Sequence, residues 1–123
     1  INEGATVVIK PPDGDMAQYL SSIEKLAKLR LRSIAPGHGR LMEKPAEVFE
    51  WYIAHRLERE AKVLAALIEV GTAKIDDLVP VIYTDVEEEK WPIARFSVHA
   101  HLLKLAAEGR VTGKTLAGKW TAT

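Results

Sequence analysis

A histidine between two glycines is the residue of this chain best suited to bind a metal ion. His38 stands in the tetrapeptide Pro36-Gly37-His38-Gly39, directly after a short apolar segment. Glycines let the backbone approach a ligand closely, and a neutral imidazole is a common ligand of zinc-type ions. A solvent-exposed turn has the same composition, so the tetrapeptide alone leaves both interpretations open.

Two other polar pairs have residue types that could form a metal site or an acid–base pair, but their positions favour other interpretations. His99 and His101 are two residues apart on a predicted helix, so their side chains point about 200° apart and do not converge on a metal. One buried or hydrogen-bonded histidine and one surface histidine is the favoured interpretation. Asp13 and Asp15 could form an acid–base pair. Because they precede an amphipathic segment, helix capping is favoured instead.

The last third of the chain holds the candidates for nucleic-acid contact. From Lys90 onward there are six basic residues and one acidic residue, although the whole chain has no net charge. Four of the basic residues could contact phosphates, namely Arg95, Lys104, Lys114 and Lys119. The three tryptophans are expected in a core or an interface. Only Trp120 is a candidate for stacking on a base.

Composition limits the class of protein more than its function. Of the 123 residues, 47% are hydrophobic and 28% are charged, which is typical of a folded soluble domain. The absence of cysteine excludes disulfides and thiolate metal sites. No segment has the length of a membrane span and no signal peptide opens the chain, so we expect a cytoplasmic protein that does not bind membranes. The chain begins without methionine, as a fragment would.

The first 44 residues have the pattern of one βαβ unit. A β-branched strand at 5–10 is followed by a helix with apolar positions from Met16 to Leu29, and a second strand is predicted at 31–35. Two strands cannot form a stable sheet alone. We therefore expect the strand at 5–10 to be either disordered or paired with a second copy, which would make a homodimer.

The remaining residues, 45–123, have the order of elements of a winged-helix domain. Helices are predicted from Pro45 to just before Gly71, at 74–83 and at 91–108, and a β-hairpin at 110–120. Six apolar residues are expected on the inward face of the third of these helices: Ile93, Phe96, Val98, Leu102, Leu103 and Leu105. The predicted fold class is thus α+β, with domains at 1–44 and 45–123.

Ordered motifs run through nearly the whole chain. They lie at 5–9, 11–16, 19–23, 34–39, 52–56, 59–60, 83–86, 91–95, 97–102, 104–105 and 108–111. In this order they resemble metallo-β-lactamase superfamily hydrolases, in the branch that contains β-lactamase-like protein 2 and carries a C-terminal winged-helix domain. The resemblance implies that residues 1–44 end an αββα sandwich.

The same resemblance implies that His38 is the final ligand of a site for one or two divalent ions, zinc or else iron or manganese. The family's other ligands are a His-x-His-x-Asp-His motif, a further histidine and a bridging aspartate, none of which has a counterpart in this sequence. The expected partner is therefore the upstream catalytic half of the same chain, and the fragment alone is expected to be inactive.

The implied reaction is hydrolysis by metal-activated water of an ester, thioester, lactone or phosphodiester, with a small molecule or RNA as substrate. The resemblance also suggests that His55 and Arg56 face the substrate cleft. An interdomain salt bridge, to Glu60 or an upstream acid, is the alternative for these two residues. The competing function for the whole chain is a nucleic-acid-binding module that uses the basic residues of the winged helix.

Overall fold

The computed structural model describes residues 9–11, 14–29 and 44–123. Four α-helices and three short strands form there: α1 (Met16–Ala27), α2 (Pro45–Val70), β1 (Thr72–Lys74), α3 (Ile75–Ile82), α4 (Trp91–Ala107), β2 (Val111–Thr112) and β3 (Lys119–Ala122). A 3₁₀ turn at Glu88–Lys90 leads directly into α4. The α+β fold class is confirmed. The predicted strands at 5–10 and 31–35 lie outside the described residues, apart from Ile9 and Lys10, which belong to no regular element.

The described residues divide into two compact units, and the division falls inside α2. The first unit contains 17–29 and 44–57, and the second contains 9–11, 14–16 and 58–123. The predicted domain boundary between residues 44 and 45 stays a prediction. Among the described residues, no helix combines the length and the apolar content needed to cross a membrane.

The first unit is held together by apolar side chains of α1 and the first half of α2. Ile23 of α1 belongs to one buried cluster with Val48, Phe49 and Tyr52 of α2. Tyr52 is fully buried and Phe49 nearly so. Helix α2 begins at Pro45, as predicted, because proline fits the first turn, where its missing N–H would have no partner.

The second unit is a winged helix built on the second half of α2, α3 and α4. The sheet order is β1-β3-β2 and both pairings are antiparallel. The predicted helices are confirmed, and the hairpin is confirmed with its second strand extending to Ala122. Strand β1 was not predicted, because three residues are too few to show an alternating pattern. It follows Gly71, whose φ of 82° turns the chain out of α2.

The inward face of α3 is as predicted, but that of α4 is partly wrong. Ile75, Leu78, Val79 and Ile82 are all buried. On α4, Ile93 is 52% exposed, whereas Val98, Leu102 and Leu105 are buried. A helical stripe through those three buried residues passes through Ala94, Ser97 and His101, which are also buried. Because of this helical spacing, the polar residues Ser97 and His101 lie on the buried face of α4, and Ile93 lies outside it.

Candidate functional site

The candidate metal ligand His38 lies outside the described residues, so its role stays a prediction. The two candidate substrate contacts, His55 and Arg56, are both described and both lie on α2 in the first unit. Being adjacent on a helix, they point in different directions. Each therefore has its own set of contacts.

His55 is stacked on an exposed tryptophan. The ring centroids of His55 and Trp51 are 4.9 Å apart and their planes are inclined by only 11°. Trp51 also meets the ring of Tyr52 edge-on, at 5.3 Å between centroids. Because Trp51 is 40% exposed and His55 partly exposed, the stacked pair offers solvent a flat aromatic surface. A ligand with an apolar or planar group could pack on such a surface.

Arg56 is a cation in an aromatic setting. It is only 4% exposed, and its guanidinium carbon lies 5.1 Å from the centroid of the Tyr19 ring. Burial raises the pKa of the Tyr19 hydroxyl, and the positive charge of Arg56 opposes that rise in the pKa. A guanidinium that has lost most of its water interacts strongly with a carboxylate or a phosphate. Arg56 is thus suited to recognise an anionic group.

The other histidines occupy separate environments in the second unit. The ring of His99 meets Trp120 edge-on at 5.8 Å, and burial holds the pKa of His99 below its usual value. His101 is fully buried, with Nδ1 4.0 Å from Glu60 Oε1. The two rings therefore do not converge. Across the described ranges, no group of three or more histidine, aspartate or glutamate side chains could hold a metal ion.

Two of the four basic residues proposed to contact phosphates are paired with carboxylates. Arg95 Nε lies 3.0 Å from Asp76 Oδ1. Lys104 Nζ lies 3.0 Å from Glu60 Oε1 and 2.7 Å from Glu108 Oε2. Although burial of Lys104 by itself lowers its pKa, the two carboxylates outweigh burial and the pKa is raised. The charges of α4 are thus largely balanced within the protein.

Lys114 and Lys119 differ from these two residues. Both side chains are exposed on or beside the hairpin. Neither forms an ion pair with any residue that the structure describes. Trp120, by contrast, is fully buried and therefore belongs to the core, so it does not stack on bases. Of the four basic candidates, only the two on the hairpin keep their charge free of partners within the described ranges.

Arg59 was not singled out from the sequence, yet it joins three parts of the second unit. Its Nη1 donates to the carbonyl oxygen of Ile82 at 3.0 Å, and the guanidinium donates to both carboxylate oxygens of Asp85, at 3.3 and 3.4 Å. It also lies over the Tyr83 ring, 4.3 Å from the centroid. The hydrogen bonds from Arg59 hold the pKa of Asp85 below its usual value.

Replacing Arg59 by lysine is expected to lower the free energy of unfolding by about 1–2 kcal/mol, because an ammonium cannot reproduce the forked donors or the stacking on the ring. Chemical denaturation measures this change. Arg95→Lys is the matched control, since Arg95 binds Asp76 in a more exposed pair. Its expected effect is below about 0.5 kcal/mol. Equal effects of the two substitutions would contradict the role given to Arg59.

Comparison with known proteins shows what this chain is similar to. Residues 75–120, which hold α3, α4 and the hairpin up to Trp120, match the Beta-lactamase associated winged helix domain. Ninety-nine residues are 35% identical to the Beta-lactamase-like protein 2 homolog of Drosophila melanogaster, covering 79% of this chain and 34% of that protein. The chain is thus similar to a Beta-lactamase-like protein 2 homolog and, over residues 75–120, to a winged-helix domain associated with β-lactamases. The resemblance found in the motifs is thereby confirmed.

A second relative agrees with the first. The Beta-lactamase-like protein 2 homolog of Caenorhabditis elegans is 31% identical over 114 residues, which cover 90% of this chain and 36% of that protein. The chain thus spans about a third of the length of the curated relatives it matches.

Solved structures show the same fold. A metallo-beta-lactamase family protein of Thermus thermophilus matches 88% of this chain and 33% of its own, with a TM-score of 0.72 and 24% identity. A beta-lactamase domain protein of Burkholderia ambifaria matches 95% of this chain and 37% of its own, with a TM-score of 0.78 and 19% identity. At these identities the likeness concerns the fold alone.

Proposed function

We propose that this chain is the C-terminal part of a metal-dependent hydrolase and that it is inactive without the upstream catalytic half. The observation that carries the proposal is the match of residues 75–120 to a winged-helix family associated with β-lactamases, in a chain that also contains the PGHG tetrapeptide around His38. The proposed substrates are esters, thioesters, lactones or phosphodiesters, in a small molecule or in RNA. The protein is proposed to be cytoplasmic.

The number of ligands supports inactivity of the chain alone. Zinc sites use at least three protein ligands, and the described residues hold no cluster of that kind. His38 could supply one ligand from outside those residues, and the others would have to come from the upstream half. Bound there, one or two ions of zinc, iron or manganese would supply a hydroxide at neutral pH.

In the proposed enzyme, Arg56 binds the anionic part of the substrate and His55 contributes an aromatic surface beside it. The burial of Arg56 supports this role, because its charge interacts more strongly with an anion there than it would in water. The stacking of His55 on Trp51 fixes the imidazole plane. Neither residue needs to exchange a proton with substrate for this function.

The proposal predicts that a longer polypeptide, which includes the upstream half, hydrolyses a generic phosphodiester or a thioester, while this chain does not. Arg56→Gln in the longer polypeptide is expected to raise KM by about tenfold or more and to change kcat less, because one charge-assisted hydrogen bond is lost in ground and transition state alike. Arg95→Gln is the matched control and should leave both constants unchanged. Circular dichroism confirms that the variants are folded.

Two results would contradict this proposal. One is full hydrolytic activity of the 123-residue chain by itself. The other is an Arg56→Gln enzyme that is folded and has unchanged kinetic constants, which would remove Arg56 from the substrate site. The proposed homodimer through the strand at 5–10 is separate from both results, and measurement of the mass in solution tests it.

Nucleic-acid binding is the second candidate function, but helix α4 gives it little support. Arg95 is paired with Asp76, and Lys104 with Glu60 and Glu108, so neither is free for phosphate. Base readout by a recognition helix needs free polar side chains on its outer face. The exposed lysines of the hairpin remain, and they are part of a different surface.

A further inference from the structure

The outward face of the three-stranded sheet places two lysines directly opposite each other. Lys74 of β1 and Lys119 of β3 are partners in the antiparallel register, and both side chains are exposed. Side chains of directly opposed residues have Cβ atoms only about 5 Å apart. The strands alternate, so Ala73 and Trp120, the next pair in the register, face inward.

This arrangement costs stability, because like charges that face each other across two strands repel. A nearby carboxylate would relieve the repulsion, but neither lysine forms an ion pair with any residue in the described part of the chain. The outward positions of all three strands hold lysine or threonine and no acid. An anionic partner would relieve the repulsion instead.

Beside the two lysines lies a row of hydroxyl groups. Thr72, Thr121 and Thr112 are aligned across the sheet in register, one on each strand. The Oγ1 atoms of Thr72 and Thr121 are 3.1 Å apart, and Thr112 Oγ1 is 3.5 Å from the carbonyl oxygen of Thr121. All three residues are exposed. Threonine hydroxyls and lysines are both common donors to phosphate oxygens.

Two further cations lie at the ends of β2. Arg110 precedes Val111 and Lys114 follows Thr112 by two residues, and both are exposed. The backbone N–H of Thr123 donates to the carbonyl oxygen of Arg110 at 3.1 Å, so the pairing of β2 with β3 extends to Arg110. Its position, two residues before Thr112, is an outward one. Positive charge therefore flanks the threonine row on both sides.

We propose that this face of the sheet, formed by Lys74, Lys119, Arg110 and the three threonines, binds the phosphates of a nucleic-acid strand without selecting its bases. Base stacking is not involved, since Trp120 is fully buried on the inward side. The inference goes beyond the proposed hydrolase function. It also replaces helix α4 by the sheet as the surface of the winged helix that meets nucleic acid.

The chemistry of the face favours nucleic acid over an anionic membrane. Segments that bind at membrane surfaces combine basic residues with large apolar side chains that enter the bilayer. The outward positions of this sheet carry hydroxyl groups where such side chains would stand. A surface of donors and cations without apolar anchors matches a hydrated phosphate backbone better than a lipid surface.

Fluorescence anisotropy with a labelled oligouridylate and the 123-residue chain tests the proposal. Binding is expected at about 50 mM salt and is expected to weaken steeply towards about 200 mM. The double variant Lys74→Gln, Lys119→Gln should bind more than about tenfold more weakly at the lower salt concentration. Its plot of log affinity against log salt should be less steep by about 1.4, because two phosphate contacts are lost.

The control is Lys62→Gln with Lys90→Gln, which removes the same charge from α2 and from the 3₁₀ turn. It is expected to keep affinity within about threefold of the unchanged chain, as a general charge effect alone would allow.

Equal losses in the two double variants would overturn the proposal, as would no binding at about 50 mM salt. Binding to phosphatidylserine vesicles but not to oligouridylate would overturn it in favour of a membrane. No step of the assay depends on hydrolysis, so failure of the proposed enzyme would leave the result interpretable.

Discussion

Replacing Trp120 by alanine is expected to lower the free energy of unfolding of the winged helix by about 3–5 kcal/mol, the largest effect of any single truncation in this domain. Trp120 is the largest fully buried side chain among the described residues, and it belongs to the core cluster formed with α2, α3, α4 and β2. Its indole N–H donates to the carbonyl oxygen of Thr115 at 3.0 Å. Truncation would leave both a cavity and an acceptor without its donor.

The hairpin is built closely around this ring. A Cβ atom added at Gly113 would lie 2.4 Å from two ring carbons of Trp120, closer than real atoms approach. Only glycine fits there while the ring keeps its place. The edge-on contact with His99 fixes the ring from α4 as well. The hairpin therefore cannot collapse into the cavity left by Trp120→Ala without moving its own backbone. For this reason we expect the loss of unfolding free energy to lie towards the upper end of the range given above.

Urea denaturation followed by circular dichroism measures this effect. Trp51→Ala is the matched control, because Trp51 is 40% exposed and lies in the first unit. Its truncation is expected to cost below about 1 kcal/mol. If the two tryptophan variants were equally stable, the place given to Trp120 at the centre of the core would be wrong.

The second large effect is expected at Glu60, where alanine should lower the free energy of unfolding by about 3 kcal/mol. The Glu60 side chain is 10% exposed and that of Lys104 is 15% exposed, so the pair is nearly buried. Lys104 would keep Glu108 at 2.7 Å, but the carboxylate that faces both Lys104 and the fully buried His101 would be gone. Lys104 would then keep only the more exposed of its two carboxylates, so the charge of a nearly buried ammonium would be less well compensated.

Glu58 provides a close control, since it lies two residues earlier on the same helix and forms an exposed pair with Lys62 at 3.5 Å. Glu58→Ala is expected to cost no more than about 0.5 kcal/mol. In addition, Lys104→Met combined with Glu60→Ala should be more stable than Glu60→Ala alone, because it removes a nearly buried cation that has lost one of its two carboxylates. A double variant that is less stable than Glu60→Ala would show that the pair is not the source of the effect.

Much of the fold follows from apolar spacing and from helix-terminal residues. Pro45 and Gly71 mark the ends of a helix in the sequence, and α2 begins at Pro45 and ends at Val70, next to Gly71. The buried face of α3 follows from Ile75, Leu78, Val79 and Ile82. Such features depend only on neighbouring residues, so they can be predicted from one sequence. Strand β1 is different, because its three residues form a strand only through pairing with β3, far along the chain.

The contacts of the charged residues could not be predicted from local sequence, because their partners are distant along the chain. Arg95 and Lys104 have the right type and helix for phosphate contacts, but their partners Asp76 and Glu60 are 19 and 44 residues away. His101 is buried because the stripe of α4 passes through it, although a histidine alone does not predict burial. For the candidate site, the resemblance suggested His55 and Arg56, and their role stays a prediction. The sequence could not identify Trp51 and Tyr19 as their neighbours, since those contacts need the packed helices.

The most direct test of the proposed function is the metal content of three purified proteins, measured by elemental analysis. They are this chain, a longer polypeptide that includes the proposed upstream catalytic half, and the same longer polypeptide with His38→Ala. We predict near-stoichiometric zinc, iron or manganese in the longer polypeptide, a clear loss with His38→Ala, and none bound to this chain, because one histidine cannot hold the ion. Stoichiometric metal in this chain alone, or unchanged metal content with His38→Ala, would contradict the assignment of His38 as one ligand of a shared site.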